Sequence, residues 1–510
     1  MNSALPVRSD RLYNNDLAPT TGQAERTWGT FSLTSVWFAA IHNMGQYTMA
    51  AGLIFLGIKP VPLVLGCLLG FVISYLASLV LGFAGQRHGV PYPVLARVSF
   101  GIYGSNLPAL IRAVVAVCWY GIQTYLASRA IIVLLELVWP ATAQLDHHGF
   151  LGLSYLGWIC FLLLWAAQLV VVTHGLETVR KFQNYAGAAI SVLMVVISLV
   201  LLSQAHWTLD LSVGGASGSV GHQVNTFFST GGLWIATFAT LVLNFCDFSR
   251  FAPNRRAIVW GGLWGLPVNG ALFMAVVIVA TLASKQIYGT ALTDPTQMLA
   301  KTHNNAVIVG GAVVFILATI GVNVIANLVS PAYDLANVFP KHINFTRGAY
   351  ISCVCALLVF PWKLYASAAT VHYFLGALGA VLGPIFGIII VDYYLVKRQR
   401  VDVDALYSDG PGGAYFYQGG WNLRAVAALV PAGIVSVAMS VMPSLSAASA
   451  YTWFVGVALA AATYLVLSTA WKPVRTPAAA TESAAVRTTP SGGHPNDAPV
   501  QGAEHSSKKV

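Results

Sequence analysis

Long apolar segments recur along this chain, and they constrain its fold more than any other feature. Hydrophobic residues make up 57% of the 510 residues and charged residues only 9%, whereas soluble proteins carry about 25% charged residues. Segments of about 20 apolar residues can cross a bilayer as helices. The sequence therefore predicts an all-α integral membrane protein. Twelve spans are predicted, at about 30–57, 62–84, 108–138, 149–173, 184–204, 226–246, 258–283, 305–332, 349–364, 369–396, 421–442 and 449–471.

The positions of Lys and Arg predict the orientation of these spans. Cytoplasmic loops of membrane proteins are enriched in Lys and Arg. With a cytoplasmic N-terminus, the inner loops carry twelve of these residues and the outer loops carry four. This bias explains the net charge of +10 without a nucleic-acid partner. Both termini are expected in the cytoplasm, with the chain in a cell membrane (inner or plasma). The inner set is Arg87, Arg97, Arg180, Lys181, Arg250, Arg255, Arg256, Lys341, Arg347, Lys397, Arg398 and Arg400, and the outer set is Lys59, Lys285, Lys301 and Lys363.

Two polar tails flank the predicted membrane region. Residues 1–27 contain prolines and mixed charge without the apolar region of a signal peptide, so they are expected to remain as a cytoplasmic tail. Residues 472–510 are rich in Ala, Pro, Ser, Thr and Gly, and we expect them to be a disordered cytoplasmic tail. The sequence predicts a transporter core of ten helices at 28–400, followed by two further helices at 401–471.

Two of the predicted spans carry small and polar residues where an ordinary membrane helix is apolar. His42 and Asn43 lie near the middle of the first span, and the segment 229–251 contains a glycine pair and Thr237. An unpartnered polar group in hydrocarbon costs several kcal/mol, so we predict helices that are interrupted beside a substrate cavity. The two spans are five apart, and an odd number of spans per repeat inverts the second copy. Spans 1–5 and 6–10 are therefore predicted to form an inverted repeat.

Polar pairs at helical spacing give the first candidates for a binding site. Trp119 and Gln123 are four residues apart on one predicted face, and an indole beside a carboxamide suits a flat ligand with amide edges. Asn323 and Asn327 have the same spacing and indicate a polar cavity. For both pairs, the alternative to a binding site is a structural role in packing and hydrogen bonding between helices. His42 is the ionisable side chain at the first break and a candidate proton carrier, unless helix carbonyls satisfy its imidazole.

The spans contain no nucleophile–base pair and no cluster typical of a metal site, so an enzyme is not predicted. We expect neither a cofactor nor a bound metal, and we expect a monomer. The cysteines are predicted to be packed thiols, because none has metal-site spacing with histidines. They are Cys67, Cys118, Cys160, Cys246, Cys353 and Cys355.

Five runs that contain these polar positions carry a family resemblance: TWGTFSLTSVWFAAIHN, PYPVLARVSFGIYGSNLPALIRA, CWYGIQT, FATLVLNFCDFSRFA and NVIANLVSPAYDLANVFPKHINFTRG. They resemble the nucleobase:cation symporter-1 family, which contains transporters of uracil, cytosine, purines, allantoin and hydantoins. The pattern is most similar to the bacterial allantoin permease branch, and it extends from about Asn15 to Trp471. The resemblance implies the leucine-transporter-type fold, with ten core helices in two inverted five-helix repeats and two extra helices.

The same resemblance implies roles for individual residues. The stacking tryptophan of the third helix falls on Trp119, and its neighbouring glutamine falls on Gln123. The ligand-pairing asparagine of the eighth helix falls on Asn327, and the polar residue at the first break falls on Asn43. The gate residue of the tenth helix falls near Leu375.

The sixth helix departs from the family pattern at the second aromatic wall of the site. That position is Phe238 here, where the hydantoin and allantoin members carry Trp and the fungal uracil and allantoin permeases carry Phe. Trp234, one turn away, could replace it if the register shifts. Thr237 and Asn323 are assigned to a second tier of the substrate site.

A second departure concerns the coupling ion. The sodium-coupled hydantoin member has two hydroxyl ligands in its eighth helix, and the matching positions here are Gly321 and Val322. Carbonyl groups at Ala39, His42 and Ala318 could remain, but sodium needs several oxygens to replace its water. Proton coupling is therefore favoured over sodium coupling.

The predicted function is a secondary active importer that works by alternating access and proton symport. Its predicted substrate is a small planar amide heterocycle: allantoin, uracil or a related nucleobase or hydantoin. A sodium-coupled symporter of such compounds is the alternative within this class. A heterocycle-gated channel or sensor is the alternative from another class.

Overall fold

The computed structural model describes residues 8–54, 60–173, 176–210, 219–290, 292–302 and 304–470, and these are almost entirely helical. The tail predicted at 472–510 lies outside the described residues. The α-helices are α1 Thr30–Ile41, α2 Met44–Ile54, α3 Pro60–His88, α4 Tyr92–Phe100, α5 Asn106–Val138, α6 Tyr155–Thr173, α7 Leu176–Gln204, α8 Val220–Leu243, α9 Cys246–Ser249, α10 Arg255–Leu263, α11 Asn269–Tyr288, α12 Pro295–Ala300, α13 Asn305–Asn323, α14 Val329–Val338, α15 Phe345–Leu358, α16 Pro361–Leu364, α17 Ala368–Val391, α18 Leu423–Val441 and α19 Thr452–Ala470.

Shorter elements connect these helices. Two short strands, β1 (Gly149–Phe150) and β2 (Leu153–Ser154), form an antiparallel pair before α6. Wider π-helical turns join α10 to α11, join α13 to α14, and follow α17. Single-turn π segments of this kind are often found at functional sites. They span Trp264–Val268, Val324–Leu328 and Asp392–Val396.

Ten helical segments in the described part of the chain are long and apolar enough to cross a membrane. They match ten of the twelve predicted spans. The first predicted span is the pair α1 and α2, and the ninth is the shorter helix α15 followed by α16. The structure thus has the predicted helical architecture, although several helices begin or end a few residues from the predicted boundaries.

The predicted break in the first span lies at His42 and Asn43, and one side chain explains its geometry. The Oδ1 of Asn43 accepts a hydrogen bond from the backbone N–H of Gln46 at 3.0 Å, which caps the start of α2. Its Nδ2 donates to the carbonyl of Ala40 at 2.7 Å, near the end of α1. Because helix ends leave backbone groups unpaired, this single amide stabilises both halves of the broken helix.

The second predicted interruption also exists, but not at the glycine pair. Helix α8 is continuous from Val220 to Leu243, and the break follows at Asn244–Phe245 before α9. The glycines instead allow close packing: a Cβ on Gly232 would clash with the carbonyl oxygen of Ala450.

The N-terminal segment, residues 8–28, lies across one end of the helices. Buried Arg97 donates to the carbonyl of Leu12 at 2.9 Å, and the hydroxyl of Tyr407 donates to the carbonyl of Leu17 at 2.6 Å. Burial lowers the pKa of Arg97 to about 10, so it stays charged at neutral pH. The backbone N–H of Trp28 donates to the carbonyl of Phe251 at 3.0 Å. This segment, predicted as a polar tail, is therefore fixed to the helix ends.

A buried ion pair lies at the same end of the helices. Arg112 on α5 and Asp334 on α14 are fully buried, and their side chains are 2.6 Å apart. The side chain of Asn244, at the break after α8, donates to Asp247 at 3.1 Å and also to Ser330. These contacts join α5, α8, α9 and α14 at the break in the sixth span.

Candidate functional site

The break in the first span meets helix α5 at the predicted glutamine. The Nε2 of Gln123 donates to the Oδ1 of Asn43 at 2.5 Å, and its Oε1 accepts from the backbone N–H of Gly45 at 3.4 Å. Gln123 and Asn43 are both 3% exposed. Two predicted site residues are thus joined directly, and the glutamine contacts the first turn of α2.

Trp119 lies one turn before Gln123 on α5 and has an aromatic neighbour on the tenth span. Its ring packs edge-on against Phe374, with centroids 5.4 Å apart. Phe374 precedes the predicted gate residue Leu375, so the residue beside the predicted one makes the ring contact. Tyr365, just before α17, donates its hydroxyl to the carbonyl of Gly45 at 2.9 Å. The tenth span therefore reaches Trp119, and the residues just before it reach the helix break.

The second aromatic wall, Phe238, lies in a cluster of packed rings. It stacks on Trp234 with centroids 5.8 Å apart and lies 5.8 Å from Phe71. Its edge faces Trp37 at 6.4 Å. Among the ring contacts of the described residues, none joins Phe238 to Trp119. Trp234 is fully buried behind Phe238, so the two candidates for this wall pack on each other.

The two asparagines of the eighth span are hydrogen-bonded to each other. The Nδ2 of Asn327 donates to the Oδ1 of Asn323 at 2.8 Å. Asn323 is fully buried, and its own Nδ2 faces the carbonyl of Tyr120 and the hydroxyl of Thr124 at 3.0 Å each. It also donates to the Oε1 of Gln168 at 2.8 Å. Asn327 is half-buried and lies in the π turn, whereas Asn323 is enclosed by α5 and α6.

An open cavity of about 400 Å³ lies towards the C-terminal end of α2, away from the N-terminal segment. Its lining includes the predicted gate Leu375, together with Tyr365 and Met49. Thr237 contacts this lining, because its hydroxyl lies 3.7 Å from the sulfur of Met49. The five positions assigned to ligand contact or pairing are absent from the lining. Those positions are Trp119, Gln123, Phe238, Asn327 and Asn43.

The predicted proton carrier His42 is fully buried and held on both ring nitrogens. Its Nε2 lies 2.8 Å from the Oδ1 of Asn269, and its Nδ1 lies 2.6 Å from the hydroxyl of Tyr47. A carbonyl oxygen can only accept, so Nε2 carries the hydrogen and Nδ1 accepts from the tyrosine. Asn269 follows a π turn that contains Pro267, which lacks a backbone N–H. Two side chains, rather than the expected helix carbonyls, satisfy this imidazole.

Residues for a metal or cofactor were not predicted. Among the described residues, no group of three or more His, Cys, Asp or Glu side chains could hold a metal ion. Each of the six cysteines is a free thiol. Gly321 and Val322, at the positions considered for sodium, are buried in the last turn of α13 and carry no side-chain oxygen.

Besides Tyr47, which contacts His42, four residues near the site were missed by reasoning from the sequence: Gln168, Asn269, Tyr365 and Phe374. Gln168 had a usable signal, because it is a lone carboxamide in the otherwise apolar run of α6. The other three owe their importance to contacts between distant segments, which sequence spacing does not show.

Comparisons with known proteins agree on one group of transporters. A sequence profile for permeases of cytosine/purines, uracil, thiamine and allantoin matches residues 20–456. An allantoin permease of Bacillus subtilis (strain 168) is 37% identical over 491 residues, covering 94% of this chain and 98% of that protein. A purine-uracil permease of Arabidopsis thaliana is 34% identical over 451 residues, covering 86% of this chain and 73% of that protein.

A solved structure extends the comparison to the fold. It is that of Mhp1, a nucleobase-cation-symport-1 family transporter, in a closed conformation with bromovinylhydantoin bound. The TM-score is 0.74 at 25% identity, covering 90% of this chain and 95% of that chain. The predicted leucine-transporter-type fold is thereby confirmed.

Proposed function

The chain belongs to the family of permeases for cytosine, purines, uracil, thiamine and allantoin, and on this premise we propose that it imports a small planar amide heterocycle by proton symport and alternating access. Family membership makes it a multi-pass membrane transporter of nucleobase-like compounds rather than an enzyme. The proposal adds allantoin, uracil or a related nucleobase or hydantoin as the substrate, a cell membrane as the location, cytoplasmic termini and a monomeric state.

The contact between Gln123 and Asn43 is the observation that carries the proposal. It places a carboxamide pair at the break of the first span, and Gln123 of this pair lies one turn from the indole of Trp119 on α5. An indole can stack on a flat ring, and carboxamides can pair with the N–H and C=O groups at its edge. Phe238 is proposed to complete the aromatic wall and Asn327 to pair with a further edge group. Thr237, Trp234 and Asn323 are proposed to support them.

Access from one side at a time is supported by the difference between the two ends of the molecule. The cavity of about 400 Å³ reaches Leu375 at one end. At the other end, the N-terminal segment and the buried Arg112–Asp334 pair join the helices. In the proposed orientation, this conformation is open towards the outside and closed towards the cytoplasm, and Leu375 is a gate beside the cavity.

Proton coupling is proposed because Gly321 and Val322 supply no side-chain oxygen for sodium. His42 is the proposed proton carrier, since an unperturbed imidazole titrates near the physiological pH range. The alternative is sodium coupling through backbone carbonyls and water.

Uptake by the purified protein in liposomes tests the proposal. Radiolabelled allantoin and uracil are supplied with an inward proton gradient, with and without a protonophore, and with potassium in place of sodium. We expect saturable accumulation of at least one compound that the protonophore abolishes and that sodium does not alter. Equilibration without accumulation under every gradient would indicate a channel or a sensor. A strict requirement for sodium at fixed pH would contradict proton coupling.

A matched pair of tryptophan variants ties uptake to the proposed site. Trp119→Leu removes the buried indole beside Gln123, whereas Trp260→Leu removes an indole that is 49% exposed on α10. We expect the first variant to lose affinity for the labelled compound and the second to keep it. Equal affinity in both variants, at equal amounts of folded protein, would place the substrate elsewhere.

A further inference from the structure

We propose that Asn323 is a positioning residue that fixes Asn327 as a hydrogen-bond acceptor, so that the site selects rings with an N–H group beside a C=O group. This inference rests on the proposed function, and it assigns a direction to each hydrogen bond that the substrate would make. An asparagine or glutamine can present either its oxygen or its nitrogen to a ligand, and the two orientations select opposite groups.

The orientation of Asn323 is set by a group that can only accept. Its side chain lies 3.0 Å from the backbone carbonyl of Tyr120, so the atom at that contact must be nitrogen. The Oε1 of Gln168 faces the same nitrogen at 2.8 Å. Gln168 is oriented in turn by the carbonyl of Leu164, which accepts from its Nε2 at 3.3 Å. The oxygen of Asn323 must therefore point away from α5.

That oxygen determines the orientation of Asn327. The Oδ1 of Asn323 can only accept, so the atom of Asn327 that contacts it at 2.8 Å is the nitrogen. Asn327 is half-buried in the π turn, and its own Oδ1 remains for a ligand. Turning this amide over would place two carbonyl oxygens against each other in a buried setting. A buried polar group without a partner costs about 1–3 kcal/mol, equivalent to a factor of roughly 5 to 150 in affinity.

The orientation of Gln123 is fixed by the broken helix in the same way. The backbone N–H of Gly45 can only donate, so it faces the Oε1 of Gln123, at 3.4 Å. Asn43 is held by the N–H of Gln46 on its oxygen and by the carbonyl of Ala40 on its nitrogen. Its oxygen accordingly receives one hydrogen of the Gln123 Nε2. The second hydrogen of that nitrogen is the donor that remains for a ligand.

The two amides therefore offer complementary groups around one turn of α5. Asn327 offers an acceptor and Gln123 offers a donor, and Asn323 bonds to the backbone of Tyr120, between Trp119 and Gln123. A ring edge that matches them carries an N–H group and a C=O group, as a lactam, an imide or a ureide does. A ring with carbonyl groups but no N–H leaves the oxygen of Asn327 unpaired.

A competition assay with a parent ring and its N-methylated derivative tests the direction of the hydrogen bonds made by Asn327 and Gln123. The labelled compound is allantoin or uracil, whichever the unaltered protein accumulates. The competitors are the parent ring, hydantoin or uracil respectively, and its N,N′-dimethyl derivative, which keeps both carbonyls and loses both N–H groups. The measured quantity is the ratio of their inhibition constants. We expect the dimethyl compound to bind the unaltered protein about tenfold or more weakly.

The variant Asn323→Leu tests the positioning role. It removes the oxygen that holds Asn327, so the amide can turn over and donate to a ring carbonyl. We expect the ratio to fall at least threefold, a change that simple loss of stability or of expression does not produce. Asn323→Asp keeps an oxygen that accepts from Asn327, and its second oxygen, when protonated, donates to the carbonyl of Tyr120 in place of the lost nitrogen. We expect the folded Asn323→Asp protein to retain the ratio of the unaltered protein. An unchanged ratio in a folded Asn323→Leu protein overturns the positioning role.

Asn327→Leu supplies an independent test if Asn323→Leu does not fold. If Asn327 accepts from the ring, removing it weakens only the parent compound, and the ratio falls. If Asn327 instead donates to a ring carbonyl, both competitors weaken together, and the proposal is wrong. Failure of the unaltered protein to accumulate either labelled compound would defeat the proposed function as well, whereas an unchanged ratio with normal uptake defeats only this inference.

Discussion

Replacing Asn43 by alanine should destabilise the protein and impair transport together, because this amide joins the two halves of the first span to helix α5. The substitution removes the cap on Gln46 at 3.0 Å and the bond to the Ala40 carbonyl at 2.7 Å. It also removes the acceptor of Gln123, at 2.5 Å. Asn43 is 3% exposed, so water cannot readily replace these bonds.

The size of the effect follows from the partners that are left behind. Loss of an N-cap costs about 1 kcal/mol. A buried donor or acceptor without a partner costs about 1–3 kcal/mol, and Asn43→Ala leaves the Gln123 amide and the Ala40 carbonyl in this state. The combined loss should be about 3 kcal/mol or more, since neighbouring groups relax only in part. Asn43→Asp keeps an accepting oxygen for Gln46 and Gln123, and its second oxygen, when protonated, can donate to the carbonyl of Ala40, so it should lose less.

A second asparagine provides the matched control. Asn344 caps α15 through a 2.9 Å bond from the N–H of Arg347, but it is exposed and makes no contact with the site. Asn344→Ala should cost about 1 kcal/mol or less and leave uptake unchanged. The assay is unfolding of each purified variant in detergent by heat and by denaturant, together with uptake of labelled substrate in liposomes. Equal losses of stability for Asn43→Ala and Asn344→Ala would refute the view that Asn43 joins these three segments.

Three further substitutions test the site and the coupling. Gln123→Ala should weaken substrate affinity about tenfold or more, because ring amide groups lose their partner in a dry site; unchanged affinity in a transport assay, at normal expression, would place the pocket elsewhere. Phe238→Trp should shift the competition profile among heterocycles while the protein still folds, and an identical profile would make Trp234 the candidate wall. His42→Gln should still exchange substrate across the membrane but fail to accumulate it under a proton gradient, and accumulation at the normal level would remove His42 from the coupling. Uptake by the unaltered protein should rise as external pH falls and should not require sodium.

The fold was predictable because membrane helices follow from composition over long windows. A polar backbone group in lipid must be satisfied within its own helix, so apolar runs of spanning length identify helices, and polar residues within them identify exceptions. Asn43 shows why this worked at the first break: asparagine is a favoured cap, so an amide in the middle of an apolar span indicates that a helix ends and another begins there. The break after α8 was predicted only to within the segment 229–251, because glycines both interrupt helices and allow close packing. Gly232 packs closely against Ala450, which lies just before α19 and more than two hundred residues away. This contact shows that the glycine allows close packing and does not interrupt α8.

The sequence identified candidate residues for a site, but it did not show how they are arranged in the fold. Spacing placed Trp119 beside Gln123 on one helix face, and it placed Asn323 beside Asn327. It could not show that Gln123 bonds to Asn43, or that Phe374 rather than Leu375 lies against Trp119. These contacts join segments that are remote along the chain, and they depend on how the helices pack.

His42 illustrates how structure changes the meaning of a residue found from sequence. Its Nε2 donates to Asn269 on α11, and its Nδ1 accepts from Tyr47 on α2. A proton can bind only at Nδ1, and the hydroxyl of Tyr47 must then turn so that its oxygen accepts. Proton coupling through His42 therefore requires the hydroxyl of Tyr47 to reverse its hydrogen bond, and Tyr47 lies on α2, the half-helix that also contacts Gln123 and the cavity. Tyr47, which sequence reasoning passed over, is thus the contact of this buried imidazole on the half-helix that also bonds to Gln123.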